Sequence, residues 1–215
     1  MLSFQDFFAV CSGLWKTERI YHYPLKSEIE RSYTEFRVSV LTVDDKEKLL
    51  LPYMSSDAPG MTIAPTSLKE GSAGCPGFAI AFDTRSETGE EVSMSLKALF
   101  VPDEYITAAP SVMPALPAAA RVLVSDEVIQ GVYLRDEGYS EAGAIAGRFT
   151  YQPTRQTLEM TTYYRRSVAV DQMRMVAPDM RLRTIVTYQR PDSGTPPTVI
   201  NLVGFGVEYR QVVES

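Results

Sequence analysis

From residue 15 onward, apolar and polar side chains alternate one by one, and this period constrains the fold more than any other feature of the sequence. The stretch 32–43 (SYTEFRVSVLTV) shows it plainly, with β-branched and aromatic residues recurring along it. Segments 77–82, 93–101, 122–134, 147–151, 157–166, 169–176, 181–189 and 198–213 repeat the pattern. Turn-forming residues separate them: Asp44-Asp45, the run 86–89, Gln152-Pro153, Pro178-Asp179 and the loop 191–197. Short strands at hairpin spacing predict an all-β chain, an antiparallel up-and-down meander closing into a barrel. Closure also removes the exposed strand edges that favour aggregation. The pattern by itself leaves a β-sandwich open.

Two segments depart from period two. Residues 3–14 read as a short N-terminal helix: Ser3 is a cap with Asp6 three residues on, and Phe4, Phe7, Phe8 and Cys11 fall on one face. Gly13 stops it. Such a helix is expected to plug one end of the barrel. The Pro-rich stretch 102–120 is expected to be a long loop, readable as a lid over the barrel mouth or as a surface loop without function.

The 215 residues suit a single barrel domain spanning 1–215, and 45% hydrophobic content is enough for a real core. A net charge of -6 argues against nucleic acid as a partner, because phosphate binding needs a basic face. No apolar run approaches the length of a membrane span. The first residues lack the basic region of a signal peptide. Cys11 and Cys75 are expected to be reduced and form no disulfide framework.

The chemistry is limited as well. His22 is the only histidine, so a His-based metal site is not expected, and GxSxG is absent. GFGVEYR has Tyr209 where a dinucleotide fingerprint needs its third glycine. Neither a metal, a nucleotide nor an evident nucleophile is expected in the chain itself. Arg181 and Arg183, two apart on an expected strand, share a face. Either both meet water or something anionic meets them.

Four motifs carry a resemblance that extends over nearly the whole chain. They are SGLWKTERIYHY (12–23), GVYLRDEGYSE with IAGRF (131–141 and 145–149), APDMRLRT (177–184) and FGVEYR (205–210). Together and in this order they resemble the S-type phycobiliprotein lyases. The chain departs from that pattern at Ile80, Phe82 and Asp83, at Thr162–Tyr164 and at 171–175, and so resembles a divergent member.

The resemblance implies a lipocalin-like barrel that binds a phycobilin, phycocyanobilin or phycoerythrobilin, as substrate. It implies attachment of that bilin through a thioether to a cysteine of a phycobiliprotein subunit, the partner that supplies the nucleophile. Arg181 and Arg183 become a clamp for the bilin propionates, since a guanidinium fork fits a carboxylate. Asp171 becomes the acid that hydrogen-bonds the pyrrole N–H groups and favours the protonated bilin; Glu208 is the second matched acid. Arg19 and Arg148 match motif arginines, although Arg148 reads equally well as a surface ion pair with Glu141. Phe82 stands where the family has a stacking tryptophan, and reads equally well as core. Trp15, Tyr139 and His22 are assigned to structure. Glycines 204 and 206, on the face of Glu208, are expected to leave room for a ligand. The alternatives are a non-enzymatic bilin carrier and another small hydrophobic-ligand binder. A homodimer, or a heterodimer with a second lyase subunit, fits the same resemblance. The cytoplasm of a cyanobacterium is the expected location, ahead of a plastid stroma.

Overall fold

The computed structural model describes residues 1–54, 61–63, 74–108, 114–122, 125–139, 141, 143–192 and 194–212. Helix α1 (Phe4–Cys11) begins at Ser3, whose Oγ accepts from the Asp6 amide at 3.1 Å. Its apolar spacing buries Phe4, Phe7, Phe8 and Cys11. Gly13, at φ 124°, turns the chain into the first strand, a conformation that side chains rarely tolerate.

The strands are β1 (Gly13–Tyr23), β2 (Glu28–Val40), β3 (Thr62–Ile63), β4 (Gly77–Ser86), β5 (Glu91–Pro102) and β6 (Ile106–Ala108). They continue as β7 (Ile129–Arg135), β8 (Ile145–Gln152), β9 (Thr157–Tyr163), β10 (Ser167–Ala177), β11 (Met180–Gln189) and β12 (Ile200–Gln211). Among the described residues, ten of these form a closed antiparallel barrel in chain order, with β12 returning to pair with β1; β3 and β6 pair apart from it. The alternation read from the sequence is thus the inside–outside alternation of an up-and-down barrel, not a sandwich.

Inward positions build an aromatic core around α1. Phe4 stacks on Phe149 at 5.4 Å between ring centroids, and Phe8 meets Phe100 at 4.7 Å. Trp15, fully buried, donates from Nε1 to the Cys11 carbonyl at 2.9 Å and so ties the helix to β1. Each buried aromatic of this kind contributes roughly 1.5–3 kcal/mol of hydrophobic stabilisation. The helix therefore closes one end of the barrel.

Three local expectations are corrected. Asp44-Asp45 is not a turn but the first turn of helix α2 (Val43–Leu50), where Thr42 and Asp45 form a reciprocal capping box. Acidic residues before a short apolar run serve either role, and the outer surface of β5 and β7 decides: Leu49 and Leu50 pack there with Leu99, Val101 and Leu134. The strand expected over 122–134 begins only at Ile129. The described part of the 102–120 loop does not cover the mouth. Ala119 and Ala120 lie on the outer wall against Val170 and Tyr188, and Gln172 Nε2 donates to the Ala119 carbonyl at 3.0 Å. Residues 109–113 of that loop fall outside the described residues.

Candidate functional site: an arginine-lined cavity

Beyond the aromatic floor the barrel interior holds a cavity of about 410 Å³, a size typical of small-molecule sites. Phe36, Phe78, Ile80, Phe82 and Met94 form its apolar wall; Arg19, Arg135, Asp171 and Arg183 bring charge into it. A larger depression, about 1140 Å³, runs along the outer wall past Tyr33, Phe205 and Tyr209. The interior cavity is the candidate site, because buried guanidiniums and a carboxylate converge there.

Strand β11 places its odd-numbered side chains inward, so Arg181 and Arg183 do share a face. Their surroundings differ. Arg183 lines the cavity and forks onto Asp171 of β10: Nε donates to Oδ1 at 2.7 Å, and Nη2 donates to Oδ2. Burial disfavours the Arg183 cation, but Asp171 and then Glu208 outweigh it and raise its pKa.

Arg181 lies deeper, outside the cavity lining and only 1% exposed. Its Nε donates to Glu208, and its guanidinium lies over the Trp15 ring at 4.2 Å. Glu208 stands directly across the β11–β12 ladder from Arg181, is fully buried, and also accepts from Arg19 Nη2 at 2.8 Å. Burial alone would raise the Glu208 carboxyl; Arg181, then Arg19, overcome it and hold it at about 2. Glu208 is therefore an anion locked between two cations at the cavity floor.

Arg19 reaches both levels: it lines the cavity and packs its guanidinium over Phe36 at 4.7 Å. Phe82 is half-buried in the wall, 6.0 Å from Phe36 and 5.8 Å from Tyr139. Arg148 is placed elsewhere. Gly147, Phe149 and Tyr151 take the inner face of β8, which turns Arg148 to the outer wall, near Glu159. Glycines 204 and 206 do not open ligand space. A Cβ at Gly204 would stand 2.6 Å from the Tyr21 ring, and one at Gly206 would stand 2.7 Å from the Glu18 carbonyl and 3.1 Å from Arg19 Cγ. Both cysteines are buried and free, Cys11 in α1 and Cys75 beneath α2, and neither lines the cavity.

Tyr139 and Arg135 are among the cavity residues that the sequence does not assign to the site. Tyr139, assigned above to structure, lines the cavity and covers the Arg135 guanidinium at 4.2 Å. Arg135 lies within the GVYLRDEGYSE motif but was not singled out. The available signal was parity: on β7 it shares the inner face with Gly131 and Tyr133.

A family model described as CpeS-like protein matches residues 118–211, which include Asp171, Arg181, Arg183 and Glu208 but not Arg19 or Phe82. Over 207 residues, 96% of each chain, the sequence is 39% identical to chromophore lyase CpcS/CpeS 1 of Synechococcus sp. (strain JA-3-3Ab). The chain belongs to the CpcS/CpeS chromophore lyase family. A second relative, chromophore lyase CpcS/CpeS 2 of Synechocystis sp. (strain ATCC 27184 / PCC 6803 / Kazusa), is 26% identical over 86% of this lyase chain and 80% of its own. The fold of the lyase is that of the S-type phycobiliprotein lyase CPES from Guillardia theta, with a TM-score of 0.61 at 16% identity, covering 99% of this chain and 95% of the other. No helix among the described residues of the lyase is long and apolar enough to cross a membrane.

Proposed function

We propose that this lyase holds a linear tetrapyrrole in the barrel cavity and attaches it to a cysteine of a phycobiliprotein subunit. One observation carries the reading: a forked Arg183–Asp171 pair, mostly buried, faces an apolar cavity with further arginines around it.

The pair suits a chromophore with carboxylates and pyrrole N–H groups. A propionate competes with Asp171 for Arg183, since both offer two oxygens to one fork. Displaced from Arg183, the Asp171 carboxylate accepts from the pyrrole N–H groups and stabilises the protonated ring system. Protonation makes the ethylidene carbon more electrophilic. The acceptor thiol then adds across the ethylidene double bond: a C–S bond forms, the π bond breaks, and the thiol proton ends on the chromophore, with nothing oxidised. Phe82 and Phe36 contact the chromophore's apolar body. Arg181 and Glu208 brace Arg19 and the floor. The protein contributes orientation and exclusion of water, and the partner contributes the nucleophile. The cyanobacterial sources of the relatives support a cyanobacterial cytoplasm as its location.

The test is to mix the purified protein with phycocyanobilin and then add an apo-phycobiliprotein subunit. A changed absorbance spectrum followed by a denaturation-resistant coloured subunit is expected. A changed spectrum without stable attachment would reduce the protein to a carrier.

A further inference from the structure

The cavity holds more positive charge than its own carboxylates neutralise. On its wall and floor, among the described residues, four guanidiniums (Arg19, Arg135, Arg181 and Arg183) face two carboxylates, Asp171 and Glu208. Glu30, bonded to Tyr23, is not part of the lining. Three of the arginines are ion-paired. Arg135 has only neutral partners: Nε donates to the Glu137 carbonyl at 3.0 Å, Nη1 donates to the Tyr164 hydroxyl at 3.4 Å, and Tyr139 covers its face. Its Nη2 is buried without a hydrogen-bond partner among the described residues, although the residue is only 5% exposed and lines the cavity.

A buried cation with an unmatched donor is costly unless an anion joins it. Arg135 of β7 and Arg183 of β11 line the same cavity. An open-chain tetrapyrrole carries its two propionates on neighbouring rings and supplies two negative charges, which equals the excess. We infer that Arg135 anchors the second carboxylate of a dicarboxylate chromophore, beside Arg183, which takes the first. This deepens the reading of the cavity as a bilin site and rests on it.

The experiment titrates the full-length protein with phycocyanobilin and with its dimethyl ester, following absorbance, and measures Tm with and without pigment. The wild type should bind the diacid at least about tenfold more tightly than the ester, since hydrogen bonds to charged groups are the strong ones. Arg135→Gln should weaken diacid binding by about tenfold, change ester binding little, and leave the Tm of the unliganded protein the same or higher. A residue held only for structure would instead lower that Tm and weaken both pigments alike, which overturns the inference. Equal diacid affinity in Arg135→Gln and wild type overturns it as well. If Arg135→Gln does not fold, the wild-type comparison still decides, together with Arg135→Lys, which should recover part of the diacid preference. Binding of neither pigment by the wild type is a separate failure, that of the bilin reading itself.

Discussion

Arg183 and Asp171 are diagonal rather than direct neighbours across the β10–β11 ladder: Arg183 stands opposite Met173, and Asp171 opposite Ile185. That offset lets the guanidinium lie along the inner wall and fork onto both carboxylate oxygens, instead of meeting them end-on. The two charges neutralise each other across the inner wall.

Removing the charge at Asp171 should separate binding from transfer. Asp171→Asn is expected to keep pigment affinity, because Arg183 is then freer for a propionate, while transfer slows at least about tenfold and the bound pigment absorbs to the blue. Arg183→Ala should do the reverse at the first step and weaken binding about tenfold or more. Spectral titration and single-turnover transfer measure the two effects. Normal transfer kinetics in Asp171→Asn would remove that residue from the mechanism.

The two motif arginines 183 and 148 should behave differently, because one faces the cavity and the other the outer wall. Arg148→Ala is expected to leave pigment affinity within about twofold of wild type. An affinity loss equal to that of Arg183→Ala would contradict the placement of Arg148.

Glu208 is held at about 2, below its ordinary value. A depressed carboxylate contributes stability that is present above its unfolded pKa and lost as pH falls through the folded one. Urea unfolding of the wild type should therefore weaken between about pH 4.5 and pH 2, and Glu208→Gln should flatten that limb. At pH 7 the same variant leaves Arg181 and Arg19 without their shared anion and should cost about 3–5 kcal/mol.

Glu159 has the opposite sign. It is 2% exposed on the outer wall, and burial pushes its carboxyl up to about 7 against hydrogen bonds from Thr161 and Thr150. An acid with a raised pKa favours folding most when protonated, so its contribution declines as pH rises from about 4.5 through 7. Glu159→Gln should be more stable than wild type at pH 8, by up to about 3 kcal/mol, and close to it at pH 5. Urea titrations at the two pH values check this.

The helix plug can be tested without touching the cavity charges. Phe8→Ala should destabilise by about 3–5 kcal/mol, as large-to-small changes in packed cores do. Thermal and urea unfolding measure the loss.

The strands and their faces were legible in the sequence because alternation is a local property: Arg181 and Arg183, two apart, must share a face whatever surrounds them, whereas barrel and sandwich both fitted that pattern. The α1 plug was legible for the same reason, through its cap and the spacing of its phenylalanines. The turn signal at Pro178-Asp179 allowed Asp171 to be expected near the arginine strand, because a hairpin there makes the two strands cross-strand neighbours. Depth was not legible. Which of the two arginines reaches the cavity, and which is sealed between Glu208 and Trp15, depends on where α1 and the aromatic floor end. The helix at Val43–Leu50, read as a turn, depended on the outer surface of β5 and β7. The uncompensated charge of Arg135 depended on four arginines from β1, β7 and β11 meeting two carboxylates from β10 and β12. Periodicity assigns a side chain to a face; only closure of the ladder decides its partners, because pairing energies depend on contacts between residues far apart in the chain.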